Sequence, residues 1–144
     1  MDKKSIGFAI HGPVSIKTLN SIKNIRKFFP FSTISYGTWQ AKNKQESLIF
    51  DEMKSINNFF LVKLVDPGQD EKQSQNAAGL INLRRMIYSI NSSLDCINTE
   101  YCLKIRSDSI FINDKFLNCI KYCSRRNENS NFENRLVMVN LYAR

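Results

Sequence analysis

Phe59 to Val65 reads FFLVKLV, six apolar residues of seven, and stops at Asp66-Pro67-Gly68. A run so short and so apolar, closed by a Pro-Gly turn, is a strand buried on both faces, and the reading makes it a central one. Ile6-Gly7-Phe8-Ala9-Ile10, bounded by Gly12-Pro13, is a second buried strand. Between these runs the period changes. Ile16, Leu19, Ile22, Ile25 and Phe29 recur at helical spacing behind the cap Ser15 and end at Pro30. Leu48, Ile49, Met53 and Ile56 mark a helix over Gln45 to Asn57, and Leu80, Leu83, Ile87, Ile90, Leu94 and Ile97 form the most regular apolar stripe in the chain. Thr33 to Gly37, Tyr101 to Ile105 and Leu136 to Leu141 supply further strands, and Asn113 or Asp114 caps a helix through Phe116, Leu117, Ile120 and Cys123. Strands alternating with helices predict an α/β fold, a layered and mostly parallel sheet with flanking helices. The whole of residues 1–144 makes one such domain.

Charge and cysteine usage narrow the function classes. A net charge of +8 favours anionic partners, but basic residues never run longer than two and do not interleave with aromatics, so no nucleic acid is expected. No apolar run reaches about 18 residues, and Met1 to Ser5 leads only into the short Ile6–Ile10 strand, so neither a membrane span nor a secretory signal is expected. Cys96, Cys102, Cys119 and Cys123 lack the paired spacing of a zinc ribbon and read as reduced thiols of a cytoplasmic protein.

Parallel sheets bind ligands beyond the carboxyl ends of their strands, which draws the strand-end segments to one rim. Gly12-Pro13 opens a helix whose amides and positive end suit a phosphate, although the same residues serve an ordinary turn. Trp39, the single tryptophan, suits stacking on a base or sugar, or filling of the core. Asp66 either bonds a ribose or base or opens the Pro-Gly turn. The segment Lys104-Ile105-Arg106-Ser107-Asp108 presents two cations and a carboxylate, which alternation places on one side. A diphosphate would meet Lys104 and Arg106 and a divalent cation Asp108, or else Arg106 and Asp108 brace the sheet as a buried pair. The polar, aperiodic stretch Gln69 to Gly79 reads as a long loop and a candidate lid over a ligand.

Taken in order, these residues resemble the WavE family of lipopolysaccharide-synthesis proteins. The resemblance rests on Gly12-Pro13-Val14, on Ile25 to Pro30 closing the first helix, on Gly37-Thr38-Trp39, on Asp66-Pro67-Gly68, on Asn82, Arg84 and Arg85, on Tyr101 to Asp108, and on Val139 to Tyr142. It implies a glycosyltransferase of bacterial surface polysaccharide or lipopolysaccharide, with a GT-A-like or Rossmann-like N-terminal half. That half would take a nucleotide-sugar donor at Gly12, Pro13, Trp39, Asp66, Asn82, Arg85, Lys104, Arg106 and Asp108. Its acceptor would be a glycan or a lipid-linked sugar, met in the cytoplasm or at the inner membrane face. Asp108 takes the place of the family's acidic metal-binding motif, with manganese or magnesium on the diphosphate, while Arg106 stands where the first carboxylate of D-x-D is usual. Neutralisation of the diphosphate by Arg106 and Lys104 is therefore the rival to the metal. Since such enzymes carry a further section for the acceptor and the catalytic base, the resemblance also implies a short or truncated member ending at Arg144. A non-catalytic nucleotide or phosphosugar-binding module and a basic interaction protein of a polysaccharide-assembly complex remain the two other readings.

Overall fold

The computed structural model describes residues 3–67 and 78–118. The elements are β1 (Ile6–His11), α1 (Ile16–Phe28), β2 (Ile34–Trp39), α2 (Lys44–Lys54), β3 (Phe59–Leu64), α3 (Ala78–Leu94) and β4 (Tyr101–Arg106), after a short 3-10 turn at Lys3–Ser5. All four strands are parallel, in the spatial order β3-β2-β1-β4. The chain thus builds outward from β1 through β2 to β3, then returns across the sheet to lay β4 on the other side of β1. Residues 112–118 fall in a second compact unit and are described apart; within it Asn113 opens the helical turn at 116–118, its side chain accepting from the Lys115 amide at 3.0 Å.

Alternation gives the sheet two unlike faces. Ile6, Phe8, Ile10, Ile34 and Tyr36 are fully buried on one, where Phe8 meets Phe29 and Phe111 at ring separations of 4.8 and 5.8 Å. Gly7, Ala9, Ser35 and Gly37 share the other face and are all small. Over that smooth surface α3 lies close enough for Ser93 Oγ to donate to the Ile10 carbonyl at 3.2 Å.

This close approach corrects the expected face of α3. Ile87 and Leu94, members of the regular apolar stripe, are 46% and 41% exposed, whereas Ser89 and Ser93 are buried. Small side chains on both surfaces let backbone approach backbone, so the helix turns its serines to the sheet and packs only part of its apolar stripe. A second correction concerns β3, which is the outer strand of the described sheet and not a central one. Phe60 is 48% exposed, and Lys63, the one polar residue of the run, lies 5.0 Å over the Phe50 ring of α2. Ala78 and Gly79 begin α3; the rest of the expected loop, from 69 to 77, lies outside the described residues, as do Cys119, Cys123 and the expected strand Leu136 to Leu141.

Ser15 caps α1 as its spacing predicts, its Oγ accepting from the Thr18 amide at 3.3 Å. Ser15→Ala should therefore lower stability by about 1 kcal/mol, read as a shift in denaturant midpoint at constant slope. At the opposite end of α1 the Arg26 guanidinium donates to the carbonyls of Phe29, Pro30, Ser32 and Asn57 at 2.6 to 3.1 Å. The stretch from Ile25 to Pro30 is thus a structural clasp at the amino-terminal end of the sheet, away from the rim.

Candidate functional site

In a parallel sheet ligands bind in the crevice beyond the carboxyl ends of the strands. Here β1 and β4 are neighbours, with the crossover that leaves β1 (α1) and the one that enters β4 (α3) on opposite faces of the sheet. His11 pairs with Arg106 in register, so the last residues of the two strands stand side by side on the α3 face.

The turn after β1 is fixed through its carbonyls. Gly12 has φ +132°, a conformation that side-chain-bearing residues rarely adopt, and a Cβ there would also run into Ser107. The His11 carbonyl accepts from the Ser107 amide at 2.9 Å. The Gly12 carbonyl accepts from the Tyr36 hydroxyl at 2.9 Å and Thr38 Oγ1 at 3.0 Å, and the Pro13 carbonyl from Thr18 Oγ1 at 3.0 Å and Ser107 Oγ at 3.2 Å. Burial holds the Tyr36 phenol above its ordinary range, so it stays a donor. Three successive carbonyl dipoles that would repel an anion are thereby occupied. The first-turn amides of α1 follow directly in the chain, that of Thr18 being taken by Ser15 Oγ.

Charge gathers at the same place. Arg106 donates Nε and Nη2 to the two carboxylate oxygens of Asp108 at 3.0 and 2.8 Å, and this pair holds the Asp108 carboxyl below the usual carboxylate range. The pair is exposed, with side chains 73% and 50% accessible, in contrast to the buried brace expected as one reading of these residues. Lys17, in the first turn of α1, adds its positive charge to the field at Asp108. No acidic residue stands in that turn, where the helix dipole would favour one.

His11 feels the whole arrangement. Burial first, then the charges of Lys104 and Arg106, lower its pKa to about 4, with Asp108 opposing. Its imidazole is therefore neutral at pH 7. Because the folded pKa lies below the unfolded value of about 6.5, the stabilising contribution is complete above that value and is lost as pH falls through 4. We expect His11→Gln to flatten the stability–pH curve between pH 6.5 and 4, where solvent screening limits the His11 contribution to about 1 kcal/mol. Unfolding curves at pH 7 and pH 4.5 test this.

Toward the β3 side, Trp39 ends β2 and stacks on Tyr88 of α3, with centroids 6.4 Å apart and planes at 15°. Asp66, just past β3, receives Nε and Nη2 of Arg85 at 2.8 and 2.7 Å. Of the sequence candidates, then, Gly12, Pro13, Arg106 and Asp108 meet at the crevice. Lys104 shares its face, with Nζ 3.5 Å from Met86 Sδ, and Trp39, Asp66 and Arg85 line the adjoining rim. Asn82 lies on α3, but its side chain is outside the described residues. Sequence reasoning passed over Lys17 and Tyr88, and drew His11 and Ser107 to the rim without giving either a role. A basic residue at the second position of a helix was the one available signal for Lys17.

The donor set does not fit a divalent cation well. Among the described residues no three His, Cys, Asp or Glu side chains gather, and both oxygens of Asp108 already bind Arg106. Cys96 and Cys102 are free thiols. No helix among the described residues is long and apolar enough to cross a membrane.

Strand order and flanking helices define an α/β protein with a four-stranded, all-parallel sheet, in which β1 and β4 end side by side at one rim. The chain belongs to the WavE lipopolysaccharide synthesis family, whose model matches residues 6–144, and this places its role in lipopolysaccharide synthesis. Comparison with curated proteins and with solved structures gives no match.

Proposed function

We propose that this chain is the nucleotide-sugar-binding domain of a glycosyltransferase of lipopolysaccharide synthesis, and that it holds the diphosphate of the donor in the crevice between β1 and β4. The observation that carries the reading is the pairing of His11 with Arg106 at the carboxyl ends of β1 and β4, beside the turn whose His11, Gly12 and Pro13 carbonyls are all engaged. A diphosphate seated there meets the first-turn amides of α1 on one side and Arg106, Lys104 and Lys17 on the other.

In such a transfer the acceptor hydroxyl attacks the anomeric carbon and loses its proton, and the bond from that carbon to the diphosphate oxygen breaks. Negative charge then builds on the departing nucleoside diphosphate. Positive groups fixed in advance at that position stabilise it, which is the largest contribution such a site can make. A divalent cation, where one is used, supplies the same neutralisation; the residues here supply it through guanidinium and ammonium groups, and no step requires the cation.

Titration calorimetry with uridine and guanosine diphosphates and with inorganic pyrophosphate, with and without chelator, tests the reading. Binding that survives chelation supports it. Absence of binding by all three at millimolar concentration overturns it.

A further inference from the structure

We propose that Trp39 and Tyr88 form the stacking surface for the nucleobase of a nucleoside diphosphate, an inference that rests on the donor reading above. Trp39 lies at the last position of β2 on the same face as His11 and Arg106, two residues beyond Gly37, which pairs with His11. From strand spacing and rise, its backbone stands about 8 Å from that of His11. That gap suits the ribose between a diphosphate and its base.

The two rings are not core packing of the ordinary kind. Tyr88 is 45% exposed, and Trp39 is only part-buried. A centroid separation of 6.4 Å lies near the upper end of the range for aromatic pairs, so each ring leaves part of its face open while the near-parallel planes present one continuous direction for stacking. Topology also selects the side. In sheets of this strand order the phosphates sit at the β1 turn, and the nucleoside extends over the end of β2 toward β3. The aromatic pair occupies that place, and the planar Arg85 guanidinium, fixed by Asp66, closes the β3 side.

Because Trp39 is the only tryptophan, its emission reports on this surface alone. The experiment follows tryptophan fluorescence and affinity on adding inorganic pyrophosphate, uridine diphosphate or guanosine diphosphate to the wild-type chain and to Tyr88→Leu. Base stacking predicts that both nucleotides quench Trp39 and bind on the order of 5- to 150-fold tighter than pyrophosphate. Tyr88→Leu should move the nucleotide affinities toward that of pyrophosphate and leave pyrophosphate binding unchanged. If pyrophosphate binds but the nucleotides bind no tighter and leave the emission unmoved, the stacking surface is overturned and the donor reading stands. If none of the three binds, both are overturned. The wild-type arm decides the question even if the variant fails to fold.

Discussion

Gly37→Val is expected to lower stability by about 3 kcal/mol or more, one of the largest effects any single substitution outside the hydrophobic interior should have. A Cβ at Gly37 would fall on the Ser89 carbonyl oxygen, 3.0 Å from its carbon and 2.5 Å from Ser93 Oγ. The obstacle is helix backbone, which cannot swing aside as a side chain does, so the middle of α3 has to lift from the sheet. Even Gly37→Ala should be costly. Gly7→Ala offers the comparison, because a Cβ there would meet the ends of the Ile97 and Thr99 side chains, at Ile97 Cγ2 and at Thr99 Oγ1 (2.7 Å), which can rotate away. Chemical denaturation of the two alanine variants should find Gly37→Ala clearly the less stable. Equal stabilities would mean that α3 is not held against the sheet by backbone approach.

The second large effect concerns binding and not stability. Arg106→Glu should weaken nucleoside diphosphate affinity by about 100-fold or more, since two charge-assisted hydrogen bonds at about 1.5 to 3 kcal/mol each are lost and a second carboxylate is placed beside Asp108. The melting temperature should hardly move. Both members of the Arg106–Asp108 pair are largely exposed, and exposed pairs contribute between 0 and about 1 kcal/mol. Asp108→Asn then separates the two means of neutralising the donor. Where Arg106 meets the diphosphate directly, removing the carboxylate that competes for its guanidinium tightens binding. Where Asp108 carries a metal, the same substitution weakens binding and abolishes its dependence on manganese. Calorimetry on the three proteins, with and without chelator, distinguishes these outcomes.

Much of the architecture could be read from periodicity. Ser15, Pro30 and the Ile16–Phe29 spacing fixed α1 to within a residue, and the Tyr101–Arg106 strand with its charged end fell where alternation placed it. What sequence could not show is which element lies next to which. FFLVKLV looks central because it is apolar on both faces, yet β3 is an outer strand with none of its residues buried, and Phe60 stands open to solvent. The face of α3 was misread for a related reason: the apolar stripe suggests how a helix packs on large side chains, and here the sheet beneath offers Gly7, Ala9, Ser35 and Gly37. Tyr88 escaped notice and His11 received no role because each gains its meaning from a partner distant in sequence, Trp39 for one and Arg106 for the other.

The bond from Ser107 Oγ to the Pro13 carbonyl spans 94 positions of the chain. Closing so long a loop has to await the contacts that make it worthwhile, and parallel pairings of this range are among the slow steps of folding. The β1-α1-β2 unit can condense locally, but the crevice has no existence until β4 slides in beside β1. Ligand present during refolding should therefore leave the earliest phase untouched and act on the species formed at its end, slowing unfolding more than it hastens folding.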